Sequence, residues 1–242
     1  MVTTMKAFLL LVLSVFLIES PLSAQNKYTF SRFGNEAVAF VKQPAKWKGN
    51  DFLKIGVIGA GAGLVMLADQ PIRDALQRNQ RYQKSVPIVF GRMWGEFYSP
   101  MVFFGGCATY SLITGNTTAW KTAFEIEQAA IYAAPFNFLL RMAVGRGRPN
   151  LNKGPQTYRP FHSLLNEDYR SFPGGHVTAA FSLATVLSRN VKPGWLKVLV
   201  YVPAVLTLAS RVYQDYHWTS DCVTGAAFGY IIGTWVVDRH KK

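Results

Sequence analysis

The sequence predicts an all-α bundle of about five to six mostly membrane-embedded helices, preceded by an N-terminal signal peptide or anchor. Two observations carry that expectation. Half of the 242 residues are hydrophobic and only 16% are charged, below the quarter or so found in soluble domains. The apolar residues also collect in long segments rich in small side chains, separated by basic or polar loops, which is the pattern of helices rather than alternating strands.

From the N-terminus, Lys6 supplies a positive start, Ala7 to Ile18 an apolar core, and Pro21-Leu-Ser-Ala24 a small-residue cleavage site. Residues 1–24 therefore read as a signal peptide. An uncleaved anchor is the alternative, although twelve apolar residues are short for a span. Residues 25–52, with Trp47 and several lysines, form a short amphipathic lead-in suited to a membrane surface. Residues 53–242 make the helical-bundle domain. Its apolar segments run over 54–68, 98–114, 119–143, 176–188, 195–210 and 219–237. Polar punctuation falls at Arg73 to Lys84, at Gly115-Asn-Thr-Thr, at 146–172 and at Asn190 to Gly194. The run from Gly56 to Gly63 superficially resembles a dinucleotide-binding loop, but its flanks are apolar and a basic run follows where an acidic residue is needed. Gly59 and Gly63 are expected instead to let helices approach closely.

The formal charge is +13. No separate basic arm or binding module accompanies it, so nucleic acid is excluded as partner; membrane lipids with anionic headgroups and a phosphate-bearing substrate account for the charge. Cys107 and Cys222 both sit in apolar stretches and read as free thiols, with a structural disulfide in an oxidising compartment as the alternative. The aromatic stretch from Trp94 to Phe104 reads as interfacial anchoring. Glu96, Glu125 and Glu127, in or beside apolar segments, are expected to pair with arginines. No cofactor or metal is implied, and nothing in the sequence sets an oligomeric state.

Three clusters at segment ends carry chemistry. The first is Arg141-Met-Ala-Val-Gly-Arg-Gly-Arg148-Pro149, the second Ser171-Phe-Pro173-Gly174-Gly175-His176, the third Ser210-Arg211 followed by His217 and Asp221. A phosphoryl group in transfer spreads charge over three oxygens, so its catalysis is mostly positioning and electrostatic stabilisation. Guanidinium forks on Arg141, Arg148 and Arg211 suit that charge. Gly174 and Gly175 offer unobstructed backbone N–H groups, and a helix starting at His176 would point its positive end at the same place. His217 has the chemistry of a nucleophile on phosphorus, with Asp221 four residues on to hold its tautomer, and His176 that of the general acid.

Read together, the clusters resemble the signature of the type 2 phosphatidic acid phosphatase superfamily. The third matches at Ser210, Arg211, His217 and Asp221. The first departs by having Arg141 where the family has lysine, and the second by having Gly174 where the family has serine. Ser171, three residues earlier, is a candidate replacement hydroxyl. The resemblance implies His217 as nucleophile, His176 as acid and Asp221 as orienter, with Arg141, Arg148, Arg211, Gly174 and Gly175 holding phosphate. It also implies a metal-independent membrane phosphatase acting on a lipid phosphomonoester or diphosphate, of the lipid A phosphate, undecaprenyl diphosphate or phosphatidylglycerol phosphate class. A soluble periplasmic acid phosphatase, a vanadate-dependent haloperoxidase and a non-catalytic lipid-phosphate binder are the competing readings.

Topology follows from the loops. Arg189, Lys192, Lys197 and the C-terminal basic residues fall opposite the clusters; the positive-inside rule makes them cytoplasmic and faces the pocket outward, in a bacterial-type inner membrane. The basic run at 73–84 breaks the parity unless the 54–68 segment is short or re-entrant.

Overall fold

The structure, a computed structural model, describes residues 27–241; the expected signal or anchor segment lies outside the described residues. Helix α1 (Phe30–Val41) begins where the Thr29 side chain accepts from the Arg32 amide, and it buries Phe33 against Phe124 and Tyr132. Helices α2 (Gly49–Met66) and α3 (Asp69–Gln77) form a pair bent by 48°. The boundary expected between residues 52 and 53 thus falls inside α2. Helices α4 (Val86–Trp94) and α5 (Tyr98–Thr114) follow. Helix α6 (Thr117–Val144) is capped by Asn116, whose side chain accepts from the Ala119 amide. It stops at Gly145, where φ is +57° and the Arg159 carbonyl leaves no room for a Cβ. After a long loop come α7 (Gly175–Asn190), α8 (Gly194–Leu199), α9 (Val202–Tyr213) and α10 (Thr219–Arg239).

The all-α expectation holds. All six predicted apolar segments are helical, and the only β feature among the described residues is an isolated bridge between Arg146 and Tyr158. Helices α3 and α4 were not anticipated, because the basic residues between 73 and 84 read as loop while Asp69–Gln77 hides an amphipathic turn pattern. The core joins α5, α6, α7 and α10 through Phe104, Phe124, Ile126, Leu183, Val186 and Val236.

Close helix packing occurs elsewhere than expected. Around Gly56, Gly59, Gly61 and Gly63 the space is open, since α2 turns most of its surface outward. The glycines that matter are Gly225, Gly229 and Gly233, spaced by four along α10. A Cβ there would lie 2.6 Å from the Gly174 carbonyl, 2.4 Å from the Thr178 carbonyl and 2.8 Å from the Ser182 carbonyl, respectively. Their bare faces let α10 lie directly on the α7 backbone.

Large apolar side chains are exposed outside, and polar ones are buried beside the apolar core. Phe52, Leu53, Val57, Val102, Ile113 and Val205 are exposed, while Glu125, Glu127, Gln128 and Thr178 are fully buried. Among the described residues one helix, running through α8 and α9 over Gly194–Tyr213, is long and apolar enough to cross a membrane. A second qualifies if the bent α2–α3 pair is one span. Cys107 and Cys222 are free, as expected.

Candidate active site

Three helix ends meet at one end of the bundle. Helix α6 delivers Arg141 in its last turn, the loop beyond Gly145 carries Arg146 and Arg148, α7 opens with Gly175 and His176, and α9 ends with Arg211, six residues before His217. The eight residues singled out in the sequence are thereby gathered.

Arg141 Nε donates to the Pro173 carbonyl at 3.2 Å. Its guanidinium lies where a side chain on residue 175 would be: a Cβ at Gly175 would sit 2.4 Å from Arg141 Nη2. Arg148 and Arg211 lie over the Tyr216 ring at 5.6 and 5.7 Å. The Nε atoms of both are buried with no hydrogen-bond partner among the described residues. Burying an N–H without an acceptor is costly, so these two donors are open to an acceptor that the described residues do not supply. Burial lowers the pKa of Arg148, although Glu167 and Asp168 counter it; a guanidinium still stays charged near neutrality.

His217 is 3% exposed and its Nδ1 lies 2.7 Å from the Ser171 carbonyl. A carbonyl oxygen only accepts, so Nδ1 carries the proton and Nε2 the lone pair. Burial first, then the charges of Arg141 and Arg148 and the nearby His176, hold His217 well below its ordinary value. The imidazole is therefore neutral, with a nucleophilic nitrogen available near pH 7.

The expected direct grip of Asp221 on His217 is corrected. His217 precedes the first turn of α10, so the four-residue helical spacing does not apply. Asp221 is the third residue of that helix and turns back to accept from the Trp218 amide at 3.0 Å. Its remaining bonds come from Arg146 Nη1 at 2.6 Å and the Ser171 hydroxyl at 2.5 Å. Asp221 thus fixes Ser171, and the Ser171 carbonyl fixes His217. The hydroxyl of Ser171 is taken by Asp221 and does not stand in for the missing motif serine. The Gly174 N–H is likewise taken, donating to the Asp221 carbonyl at 3.0 Å. The amides of Gly175 and His176 lie in the first turn of α7, where no intrahelical acceptor serves them.

Sequence reasoning missed two residues here. Arg146, 1% exposed, donates to Ser220 Oγ at 2.8 Å, to Asp221 at 2.6 Å, to Asp69 Oδ2 at 2.8 Å and twice to the Pro155 carbonyl. Asp69, at the start of α3, also accepts from the Ser220 amide and hydroxyl. Arg146 lay in plain view between two motif arginines, but nothing local distinguished it from them. Glu96 pairs with Arg211 at 3.2 Å, as expected of it. Glu125 does not pair with an arginine; it meets Lys121 and His240 instead.

Residues 127–242, which hold every one of the three clusters, match the family model of the PAP2 superfamily. That stretch of the chain carries the superfamily's pattern. It is 25% identical over 201 residues to a lipid A 1-phosphatase of Rhizobium etli, covering 77% of this chain and 82% of that one. A lipid A 1-phosphatase of Porphyromonas gingivalis is 37% identical over 73 residues, 28% of this chain and 16% of the relative. A probable diacylglycerol pyrophosphate phosphatase 1 of Schizosaccharomyces pombe is 29% identical over 168 residues, 54% of this chain and 58% of the relative. The chain therefore spans most of the first of these, about a sixth of the second and somewhat over half of the third. In fold it is similar to the crystal structure of a transmembrane PAP2 type phosphatidylglycerolphosphate phosphatase from Bacillus subtilis, with a TM-score of 0.55, 17% identity, and coverage of 79% of this chain and 95% of that one.

Within the PAP2 pattern, the glycine at position 174 has a physical reason. A Cβ there would lie 3.2 Å from the Asp221 carbonyl and 3.4 Å from the Cys222 Cα. The close approach of α10 leaves little room for the serine of the superfamily signature.

Proposed function

We propose that this protein is a membrane lipid phosphatase of the PAP2 superfamily that removes phosphate from a lipid phosphomonoester or diphosphate through a phosphohistidine on His217. The observation that carries the reading is the convergence of Arg141, Arg148 and Arg211, two of them with unpartnered buried Nε donors, on a neutral His217. In the first step Nε2 of His217 attacks phosphorus and the bond from phosphorus to the leaving oxygen breaks, while His176 donates a proton to that oxygen. In the second, water attacks phosphorus, His176 takes its proton, the P–N bond breaks and inorganic phosphate leaves. The three guanidiniums and the first amides of α7 stabilise the charge on the equatorial oxygens in both steps.

Lipid A 1-phosphate is the substrate to try first, because three relatives carry that activity in their names; an undecaprenyl diphosphate and a phosphatidylglycerol phosphate come next. The exposed apolar surface supports a membrane location. Arg189, which pairs with Asp238 at 2.5 Å, lies with Lys192 and Lys197 at the far ends of the helices from the pocket, which supports an outward-facing site in a bacterial-type inner membrane.

The test is phosphate release by detergent-purified protein, with a chelator present, over those lipids and alongside His217→Ala. Release that depends on His217 is expected. No release from any of them by folded protein would move the reading to a lipid-phosphate binder.

A further inference from the structure

The pocket contains one acidic side chain that the proposed mechanism leaves idle. Glu96 sits in the turn between α4 and α5, one third exposed, with Oε1 3.4 Å from His176 Nε2 and 3.2 Å from Arg211 Nη2. Its position is built. Helix α4 lies against the α9 backbone through Gly91 and Gly95: a Cβ at Gly91 would come 2.2 Å from the Leu206 carbonyl. One at Gly95 would come 2.5 Å from Thr207 Cγ2 and 3.0 Å from His176 Cβ. The turn is then tied by the Glu96 amide donating to the Met93 carbonyl and the Ser99 amide donating to the Glu96 carbonyl, both at 3.1 Å. Two bare helix faces thus press the residue before Glu96 directly onto His176.

We infer that Glu96 is the positioning residue for the general acid: it aims the His176 ring, favours its protonated form and holds Arg211 until phosphate arrives. The inference rests on the phosphatase reading above. The charges around His176 explain the need. Burial first, then Arg211 from α9 and Arg141 from α6, hold His176 below its ordinary value; Glu96 is the carboxylate that pairs with it and opposes them. With burial and the two cations unopposed, the imidazole would give up its proton at still lower pH, and fewer turnovers would protonate the leaving oxygen. When phosphate enters, Arg211 turns to the anion. The Glu96 carboxylate then remains with His176 alone, open on one side to solvent from which the proton is replaced.

Leaving-group dependence separates this role from a structural one. Glu96→Gln keeps the shape and hydrogen-bonding reach but removes the charge. It should slow hydrolysis of an alkyl phosphate, whose alkoxide needs a proton, by roughly 10–100-fold. Hydrolysis of p-nitrophenyl phosphate, whose phenolate needs none, should change by less than about threefold on the same reasoning. The alkaline limb of kcat/KM for the alkyl phosphate should move to lower pH. Glu96→Asp should restore part of the rate. Competitive inhibition by inorganic phosphate should tighten in Glu96→Gln, because Arg211 loses its counter-ion.

Equal losses on the two substrates, or an unmoved alkaline limb, would overturn the inference. If the wild-type protein hydrolyses neither substrate, the phosphatase reading itself has failed. The pairing is then read by histidine NMR, with His176 assigned by its loss in His176→Asn. A titration midpoint lowered by about one pH unit in Glu96→Gln upholds the electrostatic role, and an unchanged midpoint sinks it.

Discussion

Removing Arg146 should cost more stability than removing any of the residues proposed to react. The guanidinium is 1% exposed and lies between two fully buried carboxylates, Asp69 at 2.8 Å and Asp221 at 2.6 Å. Arg146→Met keeps the length and apolar stem while deleting the charge. Two carboxylates are then left in a dry site, supported only by the hydroxyls of Ser171 and Ser220 and the amides of Trp218 and Ser220. Breaking a buried pair by removing one partner costs about 3–5 kcal/mol, and here one cation serves two anions, so the upper end applies. Such a loss is a large share of the roughly 5–15 kcal/mol of a folded domain, and it lowers Tm by about 6–20 °C for a chain of this size. Asp69→Asn is the informative contrast. It leaves one charge of each sign and should cost about 1–3 kcal/mol. The assay is thermal unfolding in detergent followed by fluorescence of Trp218, which is buried against Arg146 with its Nε1 donating to the Gly147 carbonyl. An Arg146→Met protein within about 1 kcal/mol of wild type, or less perturbed than Asp69→Asn, would refute the idea that this network holds α3, the 146–172 loop and α10 together.

Four further outcomes are expected. Gly175→Ala should leave stability near wild type but weaken phosphate binding, because the new Cβ displaces only the mobile end of Arg141; inhibition by inorganic phosphate measures it. Gly229→Ala meets the Thr178 backbone at 2.4 Å and should instead destabilise by about 1–3 kcal/mol, read in the same unfolding assay. Because His217 is held well below its ordinary value, the acid limb of kcat/KM should lie below about pH 6.5; a limb at or above that pH would contradict a neutral buried nucleophile. At the far end of the bundle His240 bridges Glu125 and Glu36 at 3.1 and 3.0 Å. Burial acts against its charge, but the two carboxylates outweigh it and raise its pKa. Hydrogen bonds from His240, Gln128 and Arg32 likewise outweigh burial and hold Glu36 at about 2. The contribution of His240 is complete below its unfolded value and lost as pH rises through the raised one, whereas that of Glu36 is lost only in strong acid. Protease cleavage near α1 should therefore increase as pH rises above neutrality and not between pH 5 and 6.

Much of the helical order could be read in the chain because a helix that meets lipid or a core declares itself by continuous apolar length. That signal failed at α3 and α4, where charged or aromatic residues on one face mask a short helix that packs on α9. It misled at Gly59 and Gly63, since a small residue permits a close approach but does not supply the partner; at Gly225, Gly229 and Gly233 the partner, α7, is present. The site divides in the same way. The sequence by itself determined an inventory of candidate reacting groups: Arg141, Arg148, His176, Arg211 and His217 stand out for chemistry that is local to each side chain. What only the tertiary structure decided is who holds whom. His217 takes its tautomer from the Ser171 carbonyl, Asp221 is clamped by Arg146 and Asp69, and Glu96 reaches His176 because two glycines let α4 lie on α9. Those partners are separated by tens of residues, and a buried charge or an oriented imidazole is satisfied by whatever the packing brings within about 3 Å, which no spacing along the chain encodes.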